Sequence, residues 1–387
     1  MYRKWSKPNI KIPIGLIITI CVFPAVLIGL FYALRGVVSF MDWTAEHISA
    51  PIRGFMGMVS SVYPFSVMEI LLTTAGVWLI YYMVRTVMVT VRRRGKMKIM
   101  GKRMLLPVVA ALYAYCLFCW TWNCGYHATG FAIKNGFEGG GISVEDLASV
   151  TKFFADNANN LAPLMERDEN GRYIGDRSSM FAASVGIYEN IASEFPNLEG
   201  RVYAPKPMLY SWLMSRTGYT GIYFAPTGES NINTRTPAFL MPATVSHELA
   251  HQLGVFAEDE ASFVGIAACT SSGDSIFEYS GYVSGLMYLM NALFTVDDKA
   301  WSEINYTICP EIRTDWQYNY DYWQSQKKVE TGIEFIDRVL TSVTQTVSDA
   351  VDTVYDGYLK SQNQELGIKS YGACVDLLVE YYIKRIT

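Results

Sequence analysis

Three long apolar stretches near the N-terminus constrain most strongly how this chain can fold. The first, 12–34, runs for 23 residues without a charged side chain. As a helix it would rise roughly 35 Å, enough to cross a hydrocarbon core of about 30 Å. A second stretch covers about 62–84 and contains one acid, Glu69, and a third covers about 104–122. The sequence therefore predicts three N-terminal transmembrane helices.

Basic residues in the short loops predict the orientation of these helices, because Lys and Arg are enriched on the cytoplasmic side of a membrane. They are frequent before the first stretch and between the second and third, at positions 3, 4, 7, 11, 85, 92–94, 96, 98, 102 and 103. The loop between the first two stretches has only Arg35 and Arg53 beside Asp42 and Glu46. We therefore expect a multi-pass protein of the cell membrane with a cytoplasmic N-terminus and an extracytoplasmic C-terminal domain.

The rest of the chain has the pattern of a folded, mainly helical domain. Helical periodicity covers about 143–161, 178–195, 329–359 and 371–383, and a short strand-like region ends at 220–224. Ser143 is placed to cap the first of these helices. The net charge of −4 argues against a nucleic-acid partner, which would require a basic face. We expect a mainly α fold with a small β element, divided into a membrane domain at 1–124, in contact with the lipid bilayer, and an extracytoplasmic domain at 125–387.

The segment His247-Glu248-Leu249-Ala250-His251 carries the strongest chemical signal. Residues i and i+4 share one face of a helix, so both imidazoles can reach one metal ion. Glu248 lies beside them, where its carboxylate can take a proton from metal-bound water. The alternative is an ordinary helix with two surface histidines. Because half of the chain's four histidines occur here, on a helix with apolar flanks, we favour one Zn²⁺ per chain, with Glu248 as the catalytic residue.

A catalytic zinc also needs a third protein ligand and an open position for water. Gly254 can end the histidine helix and turn the chain back toward the metal, just before acids at 258–260. Glu258 and Glu260 lie about 200° apart on a helix, so one turn cannot present both to the same ion. Glu258-x-x-Ala261-Ser262 resembles the ligand frame E-x-x-[S/A]-D of thermolysin-like zinc peptidases. We favour Glu258 as the ligand, keep Glu260 as the alternative, and expect Ser262 to hold a ligand histidine from behind.

Several further motifs resemble a bacterial family of membrane-anchored proteins that is classed as a domain of unknown function. They are Lys206-Pro207 with Ser211, Gly221-Ile222-Tyr223-Phe224, Thr227-Gly228-Glu229-Ser230-Asn231, HELAHQ with Gly254, EDEASF from Glu258, Tyr279-Ser280-Gly281-Tyr282, Tyr358-Leu359-Lys360 and Ser370-Tyr371-Gly372. The family more often has asparagine in place of Ser262 and alanine in place of Ser230. The resemblance covers nearly the whole chain. Together with the HExxH motif and its gluzincin (thermolysin-like) pattern, it implies an extracytoplasmic, zincin-like metallopeptidase domain.

The expected activity is zinc-dependent hydrolysis of peptide bonds. Zinc held by His247, His251 and Glu258 would lower the pKa of its bound water from 15.7 to about 7. Glu248 would act as the general base and return the proton to the leaving amine.

An extended peptide or protein substrate is expected to lie along an edge strand beside the histidine helix. The segment 221–233, directly before that helix, is the candidate edge. Tyr279, Tyr282 and Glu229 are candidates to bind substrate or stabilise the oxyanion, by resemblance and position only. For each of them, ordinary packing or turn hydrogen bonding is at least as good an interpretation.

Two other classes of function stay open at this stage. The extracytoplasmic domain is alternatively a zinc-binding sensor or binding module that transmits a signal through the membrane without turnover. A purely structural zinc is the third possibility. The glutamate within HExxH argues against it, because a structural site needs four protein ligands and no base.

Overall fold

The computed structural model describes residues 14–91, 96–139, 141–328, 334–361 and 374–387. The expectation of a mainly α fold with a small β element is confirmed. Short 3-10 helices link several of the α-helices, at Asn123–His127, Ala162–Leu164, Ser184–Gly186, Pro196–Leu198 and Ala238–Leu240.

The N-terminal part consists of five α-helices, with a π-helical turn at Ala45–Ser49. They are α1 (Ile14–Leu34), α2 (Val38–Thr44), α3 (Ala50–Ser61), α4 (Val67–Val91) and α5 (Lys96–Thr121). Two stretches, Val67–Val91 and Met100–Thr121, are long and apolar enough to cross a membrane, judged by length and composition.

The prediction of three such helices is therefore corrected to two within the described residues. The first apolar stretch contributes a shorter apolar helix, Thr19–Leu34, and Ile12 and Pro13 lie outside the described part of the chain. Residues 92–95 of the basic loop and Ser370–Gly372 of the last family motif also lie outside it.

Helix α4, which corresponds to the second predicted apolar stretch, starts five residues later than the sequence predicts, at Val67 instead of position 62. A proline at 64 disfavours helical geometry in the residue before it, which separates α3 from α4. The hydroxyl of Ser66 then accepts a hydrogen bond from the Glu69 amide at 3.1 Å, as helix-capping serines do.

The C-terminal part is a helical bundle with one small sheet at its edge. Its helices are α6 (Phe131–Lys134), α7 (Val144–Leu161), α8 (Arg177–Ala183), α9 (Glu189–Ala192), α10 (Ser211–Arg216), α11 (Met241–Gln252), α12 (Glu258–Thr270), α13 (Ser275–Val296), α14 (Asp298–Thr307), α15 (Pro310–Gln326), α16 (Glu334–Ser361) and α17 (Cys374–Ile386). The core lies where α7, α11, α12, α13 and α17 pack together.

Local sequence signals account for some of these helices better than for others. Ser143 caps α7 as predicted, because its hydroxyl accepts a hydrogen bond from the Asp146 amide at 3.0 Å. The single helix predicted at 178–195 is wrong, since a 3-10 turn at Ser184–Gly186 divides it into α8 and α9.

The sheet has three strands in the order β1-β3-β2, with β1 at Lys206–Pro207, β2 at Gly221–Phe224 and β3 at Glu229–Ile232. β1 is parallel and β2 antiparallel to the fully buried β3. β2, which contains the predicted strand residues, is therefore an edge strand.

Two buried carboxylates join α4 to this sheet region. The Glu229 carboxylate accepts hydrogen bonds from the amides of Val67 and Met68, at 3.0 and 2.9 Å. The Glu69 carboxylate accepts from the amides of Leu209 and Tyr210, at 2.8 and 2.7 Å. The first amides of a helix have no partner within it and carry partial positive charge, so Glu229 serves α4 as an N-terminal cap.

We expect Glu229→Gln to destabilise the protein, since one of the two buried amides would then face an amide nitrogen instead of an oxygen. The free energy of unfolding should fall by about 1–3 kcal/mol. Thermal unfolding in detergent measures this. The matched control is Glu303→Gln, whose carboxylate is 69% exposed. Unchanged stability of Glu229→Gln would show that the cap contributes nothing.

Candidate metal centre

Helix α11 presents both histidines of the HExxH motif to α12. Its apolar residues Val245, Leu249 and Ala250 are completely buried, which fixes the rotation of the helix. His247 and His251 lie one turn apart, with ring centroids separated by 4.8 Å. His251 is buried and His247 is half-buried, so the pair is sheltered but reachable.

Glu258 completes a three-residue cluster. Its Oε2 atom lies 3.2 Å from His247 Nε2 and 3.6 Å from His251 Nε2. One potential ligand atom from each of the three residues lies within 4.8 Å of the others. Two ligands about 2.1 Å from a tetrahedral zinc ion are about 3.4 Å apart, so the donor set and its spacing fit zinc.

The turn between α11 and α12 brings Glu258 to the histidines. Gly254 has a φ of +92°, in the left-handed region that favours glycine. The Gly254 amide donates to the His251 carbonyl and the Val255 amide to the Ala250 carbonyl, at 3.2 and 3.0 Å. The chain thus reverses just after the helix, as the position of Gly254 predicts, and Glu258 begins α12.

Each of the three side chains also lies within hydrogen-bonding distance of another group, through an atom that faces away from the cluster. His251 Nδ1 donates to the Val255 carbonyl at 2.7 Å, and His247 Nδ1 lies 3.2 Å from the Ser262 hydroxyl. The Tyr355 hydroxyl donates to Glu258 Oε1 at 2.7 Å. Both Nε2 atoms and Oε2 therefore point to one common space, and such supporting contacts are typical of metal ligands.

Charge in the cluster also suits a cation. Burial alone would raise the pKa of Glu258, but the imidazoles of His251 and His247 beside it hold that pKa well below its ordinary value. Burial alone would lower the pKa of His251, but the Glu258 carboxylate raises it. The ionised carboxylate thus attracts a positive charge at the point where the three side chains meet.

Glu248 lies beside the cluster and is buried, and burial raises the pKa of its carboxyl. Among the described residues its Oε2 atom has no hydrogen-bond partner. A Cβ added to Gly221 would lie 2.5 Å from Glu248 Oε1, so the backbone of β2 passes directly against this carboxylate. A raised pKa and an unused oxygen are suited to a group that accepts and releases a proton.

A cavity of about 570 Å³ opens on His247 and Glu248. Gly221 of β2 and the preceding Thr220 form part of its wall, and Asp352 and Tyr355 of α16 form another part. Among its described lining residues there is no Lys or Arg. This volume lies within the range of about 300–1,000 Å³ that is usual for ligand pockets.

Glu260, the alternative third ligand, lies away from this cavity. Its carboxylate accepts hydrogen bonds from the amides of Phe131 and Ala132, both at 2.9 Å, at the start of α6. The structure therefore brings Glu258, and not Glu260, to the histidines.

The three oxyanion candidates also lie outside the lining of the cavity. Tyr279 is fully buried and donates to Asp315 at 2.5 Å, while Tyr282 packs edge-on against Phe154 with ring centroids 5.3 Å apart. Glu229 caps α4, as described above. For these three residues, the observed contacts agree with a role in packing and not with binding of substrate or oxyanion.

Tyr355 is a site residue that sequence reasoning missed. It reaches the cluster from α16, 97 residues after Glu258. Nothing in its local pattern distinguishes it from the chain's other tyrosines, and the nearby family motif at Tyr358 is the only hint.

Two residues near the apolar helices also support the site without an obvious sequence signal. Trp122, directly after α5, lies edge-on to the His251 ring with centroids 5.5 Å apart. The buried Arg53 guanidinium donates to the carbonyls of His251 and Gln252, at 3.0 and 3.3 Å. Because the C-terminal end of a helix carries partial negative charge, Arg53 stabilises the end of α11.

A comparison with family models matches residues 45–379 to the family described as "Protein of unknown function (DUF3810)". The chain belongs to this family. Searches of the curated proteins and of the solved structures return no match to it. The region matched in the DUF3810 family includes the whole metal cluster, the cavity and both helices that are long enough to cross a membrane.

We expect the purified protein to bind about one zinc ion per chain, held by His247, His251 and Glu258. Glu258→Ala should lose the metal, because a tetrahedral site cannot be held tightly by two histidines alone. Elemental analysis after dialysis measures this. Glu260→Gln is the control and should keep zinc; loss from that variant but not from Glu258→Ala would reverse the assignment.

Tyr355→Phe should weaken zinc affinity by about 10–100-fold, since it removes the hydrogen bond that orients Glu258. Competition against a coloured chelator measures this affinity. Tyr358→Phe makes the same change on the same helix, where the hydroxyl bonds to Asn123 instead, and should leave the affinity unaltered. Equal affinities for both variants would exclude a role for Tyr355 in holding the ligand.

Proposed function

We propose that this protein is a membrane-anchored, zinc-dependent metallopeptidase. The observation that carries the proposal is the meeting of His247, His251 and Glu258 at one point. Beside it, on the cavity wall, lies Glu248, whose Oε2 atom has no hydrogen-bond partner among the described residues. Two histidines and a glutamate leave one tetrahedral position open, which distinguishes a catalytic zinc site from a structural one.

The residues present fit zinc both in chemistry and in spacing. His247 and His251 would bind through Nε2 and Glu258 through Oε2, since their other polar atoms are already hydrogen-bonded. When bound, zinc would polarise a carbonyl oxygen and lower the pKa of a water molecule to about 7.

Glu248 would take the proton that this water loses. Its Oε2 atom is free to accept the proton, and burial, which raises its pKa, helps it to hold the proton until the amine leaves. The oxygen of the water bonds to the carbonyl carbon, and the C–N bond then breaks. The proton held by Glu248 passes to the leaving nitrogen, which completes hydrolysis and restores the carboxylate.

The β2 edge is proposed to bind the substrate backbone. β2 has β3 on one side and an open edge on the other, and Thr220 and Gly221 border the cavity beside Glu248. An extended peptide adding to this edge would place its backbone against the base.

We further propose that α4 and α5 cross the membrane, with the basic segment between them in the cytoplasm and the cavity outside. The C-terminal end of α1 packs on that of α5, where Phe31 meets Trp120 with centroids 5.8 Å apart. The N-terminal end of α4 lies at the sheet region through Glu229. These ends therefore lie toward the C-terminal domain, whereas Arg85 of α4 and Lys102 and Arg103 of α5 lie toward the opposite ends of their helices.

Glu248→Gln should retain zinc and lose hydrolysis by about 10²–10⁴-fold, because an amide cannot act as a general base. Full-length protein in detergent is incubated with a peptide library, and the products are identified by mass spectrometry. Glu303→Gln, an exposed site, is the matched control. Undiminished hydrolysis by Glu248→Gln would contradict the mechanism, and zinc binding without any hydrolysis by the wild type would favour the sensor.

A further inference from the structure

A short segment between β1 and the cavity exposes an unusual amount of apolar surface. Leu209 is 76% exposed and Trp212 50%, and Tyr210 and Leu213 beside them are also exposed. We call Leu209–Leu213 the apolar rim. Single exposed apolar residues are common, but four large ones within five positions form a patch that marks a contact surface.

The other face of the rim is fixed to the C-terminal domain. The Ser211 hydroxyl accepts from the Thr234 amide at 3.0 Å, and the nearby Ser215 hydroxyl lies 2.6 Å from that of Tyr322. Met214 is buried. The rim is therefore held in place with its apolar side chains directed outward.

The rim lies against the beginning of α4. Glu69 accepts hydrogen bonds from the amides of Leu209 and Tyr210, and the Tyr210 hydroxyl lies 3.2 Å from that of Thr73. Thr73 is six residues after the first residue of α4, which is roughly 9 Å along the helix axis. The α4 residues at 70–72 at this level are exposed and apolar, so the surface of the rim continues onto that of α4.

The position along α4 at which the rim contacts it corresponds to the edge of the hydrocarbon region of a bilayer. The 25 residues of α4 extend roughly 37 Å, against about 30 Å for the hydrocarbon core, so about 3–4 Å of helix remains at each end. A contact roughly 9 Å from the end of α4 is then at or below the headgroup boundary. Tyr and Trp are the residues enriched there, because their rings are apolar and their N–H or O–H groups are polar.

We propose that the apolar rim inserts into the outer leaflet of the bilayer and that the cavity takes peptides tethered to the membrane. The rim leads directly into Thr217–Gly221, which line the cavity. On the other side of the site, Trp122 follows the last residue of α5 and contacts His251. The metal cluster thus lies close to the membrane surface, where a segment emerging from the bilayer, or attached to a lipid, reaches it. The choice of substrate rests on the proposed peptidase function, whereas the insertion of the rim does not.

Fluorescence quenching tests the insertion. Full-length protein in phosphatidylcholine nanodiscs is compared with and without lipids that carry a nitroxide at acyl carbon 5. Trp212→Phe should remove a strongly quenched part of the emission, and Trp301→Phe, on α14, should remove a part that the lipid leaves unquenched. If the emission lost in Trp212→Phe is not quenched by the lipid, the rim lies in water and the patch belongs to a protein contact.

Tethering tests the substrate class. One peptide is offered free in solution and with an N-terminal palmitoyl chain on vesicles. The wild type should hydrolyse the tethered form at least about tenfold faster, since confinement to the surface raises its effective concentration. Trp212→Asp should reduce this ratio and Trp301→Phe should keep it. Equal rates for the two forms would contradict the preference for tethered peptides but not the peptidase function. Quenching of Trp212 without hydrolysis of either form would contradict the peptidase function but not the insertion of the rim.

Discussion

The packing of the apolar helices against the C-terminal domain depends on buried charged side chains that bind backbone groups at the ends of helices and turns. Glu229 caps the start of α4, Glu260 caps the start of α6, and Arg53 binds the last carbonyls of α11. A buried charge without a partner would cost several kcal/mol, and helix ends offer unpaired groups of the opposite partial charge. Each contact joins segments more than 120 residues apart, and together they connect the apolar helices to the helix that carries both histidines.

The same principle explains why neighbouring acids differ so much in role. Glu258 and Glu260 both begin α12, but they point to opposite sides of the helix. The amides of Phe131 and Ala132 satisfy Glu260, while Glu258 faces two imidazoles and a phenol. A carboxylate satisfied by backbone amides has no reason to bind a cation, whereas one among histidines draws positive charge to the point where they meet. The assignment of the ligand therefore follows from where each carboxylate finds its partners.

The site, the cavity and the apolar rim together form one unit at the ends of the apolar helices. Trp122 joins α5 to His251, Arg53 joins the segment after α1 to the end of α11, and Glu69 joins α4 to the rim that leads to the cavity. In the proposed function, the short distance between the metal cluster and the ends of the apolar helices is required, because a substrate held at the membrane can be cleaved only by a site near the membrane surface.

Short-range sequence patterns determined much of the metal centre. The i, i+4 spacing of the histidines, the turn at Gly254 and the Ser143 cap each depend on residues within about one or two helical turns, so the sequence predicts them. Tertiary structure decided the rest. Tyr355 approaches Glu258 across 97 positions, and the Glu229 carboxylate caps a helix that begins 162 positions earlier. No local periodicity encodes such contacts, because the partner of a buried polar group is whichever group the packed helices bring within about 3 Å.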